Sequence, residues 1–159
     1  MDGLQDERIT LVGLLTESYT ALRAQLDRSL ERDADLPLQW FELLIRLARS
    51  PGHRLRMSDL AAQTSLTPSG LTRATDRLEA AGLVERVPCP SDRRGAFAAL
   101  TPLGLERTRA AVDPHLCHVE QHFTSALSPA ERDQLATLLR KVRDHVNPGA
   151  AAVPAAADT

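Results

Sequence analysis

The sequence has few aromatic residues, few cysteines and almost no lysine, and each shortage excludes something. Aromatic residues make up 3% of the 159 residues, so leucine, valine and alanine must fill the core. The two cysteines, Cys89 and Cys117, are too few for a disulfide framework. Lys141 is the only lysine, so arginine supplies the donors wherever phosphates or base edges are bound. The net charge of −2 gives no global signal for a nucleic-acid partner.

Signals for a membrane, for export and for catalysis are absent as well. No uncharged apolar stretch approaches the roughly 18 residues of a membrane span. Residues 1–8 are acidic, unlike the start of a signal peptide. The glycine-rich nucleotide-binding motifs, the zinc-protease motif and the nucleophile elbow are missing. We therefore expect a cytoplasmic protein of one domain, without membrane contact, enzymatic activity or a cofactor.

Apolar spacing and helix-start signals predict a mostly helical chain. From Ile9 to Leu30 the apolar residues recur at steps of three and four, which indicates a long first helix. Three junctions place a hydroxyl residue before proline, the usual pattern of an N-cap followed by the first helical position. They are Thr67-Pro68, Thr101-Pro102 and Ser128-Pro129. The predicted later helices span 38–48, about 58–64, 68–81, about 102–127 and 129–146.

Two short helices meeting at Thr67 indicate a helix-turn-helix, and the residues after Gly82 indicate a β-hairpin. Gly82 suits a helix C-cap. Residues 83–87 are predicted to form a strand, 88–95 a turn, and 96–100 the returning antiparallel strand. The predicted fold class is therefore predominantly α with a small β-hairpin wing, a winged helix-turn-helix.

The helix that Thr67 begins has a short polar face that suits a DNA major groove. Helical spacing turns the apolar positions inward and leaves the polar positions outward. The inward positions are Leu71, Ala74 or Thr75, Leu78 and Ala81, and the outward ones are Ser69, Thr72, Arg73, Asp76 and Arg77. Small side chains permit close approach, and arginine can bind guanine edges and phosphates. The alternative is an ordinary solvated helix face.

The predicted wing carries Arg93 and Arg94 beside Asp92. Two guanidinium groups on a hairpin suit a narrow minor groove, with Asp92 orienting an arginine. The alternative is a solvated, charge-rich turn. Residues 54–94 contain seven arginines against five acids, whereas the rest of the chain is net negative.

These motifs together resemble the MarR family of winged helix-turn-helix regulators. The resemblance covers about 38–106 and rests mainly on Leu66-Thr67-Pro68-Ser69-Gly70-Leu71-Thr72-Arg73, Gly82-Leu83-Val84-Glu85-Arg86, Asp92-Arg93-Arg94-Gly95 and Leu100-Thr101-Pro102. It implies a homodimeric regulator, most often a repressor, that binds a pseudo-palindromic operator in double-stranded DNA. Many members of the family release DNA when a small molecule binds. The residues that match the family's recognition-helix pattern are Thr67, Pro68, Ser69, Gly70, Thr72, Arg73 and Arg77. In the wing, Asp92 and Arg94 match, Arg94 entering the minor groove while Arg93 contacts phosphate.

The expected organisation follows from the helices and the resemblance. Residues 1–34 form an N-terminal dimerisation helix, 35–101 the DNA-binding lobe, 102–146 the C-terminal dimerisation helices and 147–159 a disordered, alanine-rich tail. The first helix and Leu135, Leu138, Leu139 and Val142 supply apolar surface for a dimer. The alternative is a monomer in which these stripes pack within one chain.

Several residues suggest that the regulator senses a signal. One helix face carries three histidines that are candidates for a metal site, His115, His118 and His122. The alternative is a histidine face that is solvated or hydrogen-bonded. Cys89, at the root of the wing, is a candidate redox sensor. The alternative is an ordinary buried thiol, and this is the favoured interpretation for both Cys89 and Cys117.

Two aromatic residues, Trp40 and Phe41, open the second helix near the place where family members hold aromatic ligands. The expected partner there is a small aromatic ligand, and the alternative is that Trp40 belongs to the core. A function of another class also stays open, a winged-helix module that binds protein. The polar, arginine-bearing face favours DNA, because protein interfaces favour an apolar centre.

Overall fold

Seven helices and a three-stranded sheet form the chain in the computed structural model, which describes residues 3–64, 66–89 and 92–151 but not the side chains of 92–94, 150 and 151. The elements are α1 (Glu7–Ala34), α2 (Leu38–Ala48), β1 (Arg54–Arg56), α3 (Met57–Ala62), α4 (Pro68–Ala80), β2 (Val84–Cys89), β3 (Asp92–Leu100), α5 (Pro102–His122), α6 (Pro129–Val146) and α7 (Pro148–Ala151). The predicted fold class, predominantly α with a β-hairpin wing, is confirmed.

The three predicted helix starts are confirmed by their hydrogen bonds. The Thr67 hydroxyl accepts the Gly70 N–H at 3.1 Å, and the Thr101 hydroxyl accepts the Gly104 N–H at 2.9 Å. Ser128 and Glu131 form a complete capping box, in which the Glu131 carboxylate accepts the Ser128 N–H at 2.8 Å. Each cap satisfies amide donors that the first helical turn leaves without partners.

Some predicted helix ends were wrong. α3 spans Met57–Ala62 rather than 58–64. α5 ends at His122, because Phe123 leaves the helical conformation with φ −137° and ψ −64°, and a 3-10 turn covers Thr124–Ala126. The predicted tail begins with regular structure: the Asn147 side-chain amide donates to the Ala62 carbonyl at 3.0 Å, and the short helix α7 follows. Residues 152–159 lie outside the described part of the chain.

The sheet is larger than the predicted hairpin. Its strands are antiparallel in the order β1-β3-β2. β2 runs to Cys89 rather than 87, and β3 begins at Asp92 rather than 96. Pro88 had indicated a turn, but β2 is an edge strand with a register shift at Pro88 and Cys89, where a missing N–H is tolerated. The sequence analysis missed β1, because three residues are too few for their alternation to indicate a strand.

Leucine dominates the core, as the shortage of aromatics predicts. The fully buried large side chains are mainly leucines from α1, α2, α3 and α4, and Phe41 is buried among them. The two terminal helices differ from this pattern. The first half of α1 exposes Ile9, Leu11, Val12, Leu14, Leu15 and Tyr19, and α6 buries no residue. No helix among the described residues has the length and hydropathy needed to span a bilayer.

Candidate nucleic-acid interface

The two faces of α4 are almost as predicted. Leu71, Ala74, Thr75 and Leu78 are buried against the core. All five predicted outward residues, Ser69, Thr72, Arg73, Asp76 and Arg77, are exposed. Ala81 was wrongly placed inward: the helix ends at Ala80, and Gly82 turns the chain away with a φ of +70°. α4 therefore packs by one stripe and presents a continuous polar face.

Hydrogen bonds within the first turn of α4 determine which donors and acceptors its N-terminus presents to a partner. The Thr67 hydroxyl, besides capping Gly70, lies 3.3 Å from the Ser69 hydroxyl. Thr72 donates its hydroxyl proton to the Pro68 carbonyl at 2.9 Å, so it presents a methyl group and an acceptor rather than a donor. A Cβ at Gly70 would lie 3.1 Å from the Thr67 hydroxyl oxygen, so glycine keeps the cap uncrowded.

The cationic groups of this face are Arg73 and Arg77. Both side chains are exposed, and neither belongs to an ion pair among the described residues. They lie four residues apart and therefore on the same side of the helix. An arginine without a carboxylate partner keeps its donors available for a base edge or a phosphate.

An ion-pair network that the sequence analysis did not identify joins the wing to α4. The Arg86 guanidinium on β2 donates to Asp76 at 2.5 Å and to Glu79 at 2.5 Å. The Glu79 carboxylate also accepts the Arg86 N–H at 3.2 Å. The nearby carboxylates, Asp76 first, raise the pKa of Arg86. The network fixes β2 against α4 and neutralises the acids on the exposed half of this helix. Strand alternation could have indicated it, because Arg86 lies two residues after buried Val84 and so faces inward.

The structure describes the backbone of the wing arginines but not their side chains. The backbone of Asp92, Arg93 and Arg94 belongs to β3, so these residues lie in a strand rather than in the predicted turn. Their side chains fall outside the described residues, as do Pro90 and Ser91 completely. The assignment of Arg94 to a minor groove and Arg93 to a phosphate stays a prediction.

The three histidines of α5 do not share one set of contacts. His118 forms a 2.6 Å hydrogen bond with Asp33 on α1, and its ring stacks on His122. Arg32 first, and then His118, lower the pKa of Asp33 to about 2. His115 packs on Phe41, with ring centroids 4.6 Å apart, and burial lowers its pKa. Within the described residues no group of three or more histidine, cysteine or acidic side chains is placed to hold a metal ion.

Of the two candidate ligand residues, Phe41 lines a cleft and Trp40 does not. Phe41 lines a cleft of about 190 Å³ with other residues of α1 and α2 and with His115 of α5, and Trp40 is absent from this lining. Trp40 is half-buried and packs against the core, as the core alternative expects. Cys89 is buried, in agreement with its favoured interpretation as an ordinary buried thiol. The expectation of a buried Cys117 was wrong, because this residue lies on the exposed side of α5.

The fold and the polar face of α4 define a winged helix-turn-helix protein. A model of the MarR family matches residues 34–95. One similar solved structure is that of Sco3205 from Streptomyces coelicolor, a MarR family transcriptional regulator in complex with DNA. The two sequences are 39% identical, the alignment covers 93% of this chain and 92% of Sco3205, and the TM-score is 0.81. A mutant of MarR from E. coli in complex with operator DNA is 28% identical, with coverage of 86% and 95% and a TM-score of 0.73.

Sequence comparison with curated proteins gives the same family. The transcriptional repressor MprA of Escherichia coli K12 is 35% identical over 103 residues, which are 64% of this chain and 57% of MprA. The match thus spans little more than half the length of that relative. The chain belongs to the MarR family of transcriptional regulators. The matched relatives MprA and Sco3205 are named as a transcriptional repressor and a transcriptional regulator.

Proposed function

We propose that the protein is a cytoplasmic, homodimeric transcriptional repressor that binds a pseudo-palindromic operator in double-stranded DNA. The observation that carries this proposal is the exposed polar face of α4, with Ser69 near its start and Arg73 and Arg77 without ion-pair partners in the described structure. Two structural relatives are seen with DNA, and MprA is described as a repressor. In this arrangement α4 enters the major groove and the wing follows the adjacent minor groove.

A second copy of the chain is the partner that fits the terminal helices. In α6, Leu138 and Val142 lie four residues apart, and each has half or more of its side chain exposed. The first half of α1 adds another apolar surface, from Ile9 to Tyr19. Soluble monomers rarely leave so much contiguous apolar surface in water. Two-fold pairing would also place two α4 helices about one DNA turn, roughly 34 to 36 Å, apart.

Replacing Leu138 by glutamate should convert the dimer into monomers. The charge would have to be buried without a partner in the proposed interface, which costs several kcal/mol. Sedimentation equilibrium over a range of protein concentrations measures the change. The control is Thr137→Glu, an exposed polar position on the same helix, which should leave the dimer intact. A Leu138→Glu protein that stays dimeric would remove α6 from the interface.

The cleft beside Phe41 is the proposed effector site, with a small aromatic molecule as its ligand. Its lining combines apolar side chains with Arg23, Glu42 and His115. A ligand that binds better to the DNA-free arrangement of the dimer would release DNA, and only to the extent of that difference in affinity. Titration of substituted benzoates and phenols into the protein–DNA complex, followed by anisotropy, tests this role.

Selection from a pool of random DNA duplexes tests the function itself. The purified protein should enrich a pseudo-palindrome with half-sites about 10 base pairs apart. Fluorescence anisotropy on the enriched duplex should then show affinity that falls steeply with salt. If no sequence is enriched and the remaining binding is weak at every salt concentration, the DNA-binding proposal is wrong, and a protein partner becomes the better explanation for this fold.

Arg94→Ala should weaken operator binding by about tenfold or more without unfolding the protein. The reason is the loss of a guanidinium from the wing at the place where the negative potential of a narrow minor groove is strongest. Anisotropy measures the affinity, and circular dichroism checks the fold. Arg28→Ala, at an exposed position on α1, removes the same charge and serves as the control. Equal affinities for Arg94→Ala and the wild type would refute the wing assignment.

A further inference from the structure

Two arginines of β1 share one aromatic ring on the outer face of the wing sheet. Arg56 lies directly opposite Phe97 in the antiparallel register, and Arg54 lies opposite Ala99. The Arg54 guanidinium carbon is 5.1 Å from the centre of the Phe97 ring, and that of Arg56 is 5.7 Å away. Leu55, between the two arginines, points the other way and is buried. We call Arg54, Arg56 and Phe97 the outer-face cluster.

This cluster is more than a packing arrangement. Residues two apart in a strand point to the same side, so β1 brings two positive charges together on an edge strand. Cation–π contact with Phe97 orients both guanidinium groups and offsets part of their repulsion. Across the sheet, Glu85 faces the same side in the row of Ala99, about 10 Å from Arg54 at the usual strand spacing. No ion pair joins Glu85 to Arg54 among the described residues. The outer-face cluster thus presents oriented donors suited to an anion.

The position of the cluster along the wing indicates which anion. β3 is continuous from Asp92 to Leu100, so Phe97 lies three residues, about 10 Å, along the strand from Arg94. The minor groove is about 6 Å wide and is bordered on both sides by phosphates. When the tip of the wing enters this groove, a residue 10 Å back along the strand, by the same spacing, lies beside the sugar–phosphate backbone that forms its wall.

We propose that the outer-face cluster is a second phosphate-binding site, through which the base of the wing contacts the DNA backbone beside the minor groove. Its ligand is the phosphodiester group of double-stranded DNA, bound without regard to base sequence. Arg54 is the exposed member of the pair, and Arg56 is half-buried. This inference rests on the proposed function, because it needs the wing to enter DNA. It adds affinity and salt dependence rather than sequence preference.

Anisotropy titrations of the full chain at several salt concentrations test the site. The selected operator and a scrambled duplex of equal length serve as the two probes. Arg54→Ala should weaken binding to both probes by a similar factor, about three- to tenfold, and should reduce the slope of log affinity against log salt by about 1. The double variant Arg54→Ala/Arg56→Ala should reduce the slope at least as much as Arg54→Ala. Arg28→Ala, the control on α1, should leave the slope unchanged.

The possible outcomes separate this inference from the proposed function. If the wild type binds the operator tightly and both β1 variants keep its salt slope, the outer-face cluster is not a phosphate site, although the regulator proposal survives. A loss confined to the operator would also overturn the inference, since it would indicate base reading. If the wild type enriches no sequence and binds neither probe, both proposals fail. Circular dichroism of each variant confirms that a changed slope comes from a folded protein.

Discussion

Gly104→Ala is expected to lower the free energy of unfolding by about 3 kcal/mol, at the upper end of what overpacking usually costs. Gly104 lies in the first turn of α5 and is buried. A Cβ at this position would lie 1.9 Å from the carbonyl oxygen of Leu83. That oxygen is held in place because it accepts the Thr101 N–H at 3.1 Å. The methyl group therefore meets fixed backbone at Leu83, directly before β2, and either α5 or β2 must move.

Urea denaturation of the variant and the wild type measures this loss. Alanine favours helix by about 1 kcal/mol over glycine, so propensity alone predicts a gain at position 104. The control is Ala110→Gly, at an exposed position of the same helix, which should cost about 1 kcal/mol through propensity alone. If Gly104→Ala is as stable as the wild type, the close approach of α5 to Leu83 is not a constraint on the fold.

Arg86→Ala should weaken operator binding by about ten- to a hundredfold while costing less than about 2 kcal/mol of stability. The stability loss is small because the ion pairs are partly exposed: the Arg86 side chain is 30% accessible, Asp76 55% and Glu79 41%. The binding loss is larger for two reasons. β2 loses its attachment to α4, and two carboxylates on the proposed recognition helix are left without a counter-charge facing the phosphates.

Neutralising those carboxylates separates the two reasons. In the Arg86→Ala background, Asp76→Asn with Glu79→Gln removes the repulsion but does not restore the attachment of the wing. Partial recovery of affinity in the triple variant would assign that part of the loss to charge, and the remainder to wing position. Anisotropy at fixed salt measures the affinities of the wild type, Arg86→Ala and the triple variant, from which both parts of the loss follow. An Arg86→Ala protein with wild-type affinity would show that the network acts only in folding.

Local chemistry made the helix starts and the faces of α4 predictable. Thr67, Thr101 and Ser128 each cap the helix that their own sequence neighbours form, so no distant contact is needed to place them. The buried stripe of α4 followed from its spacing, and it failed only at Ala81, where the helix had already ended. The family motifs were likewise visible in consecutive residues.

Features that depend on distant partners were not predictable. β1 forms because it pairs with β3, and its three residues are too few to indicate a strand by themselves. The partners of Arg86 come from another element, and only the inward direction of its strand position indicates that a carboxylate must be near. Cys117 was misplaced because the prediction rested on the usual burial of cysteine and not on the position of this residue on α5.

The exposed apolar surfaces of α1 and α6 affect how operator occupancy depends on protein concentration. α6 buries nothing within its own chain, and the exposed apolar residues of α1 gather in its first half, so in the proposed dimer these segments gain their stability from association. Folding of the ends and pairing of the chains are then one equilibrium, governed by mass action. Below the dissociation constant of the dimer, the amount of DNA-competent species rises with the square of the protein concentration. A modest change in synthesis or degradation of the chain would therefore produce a disproportionate change in operator occupancy, even without an effector.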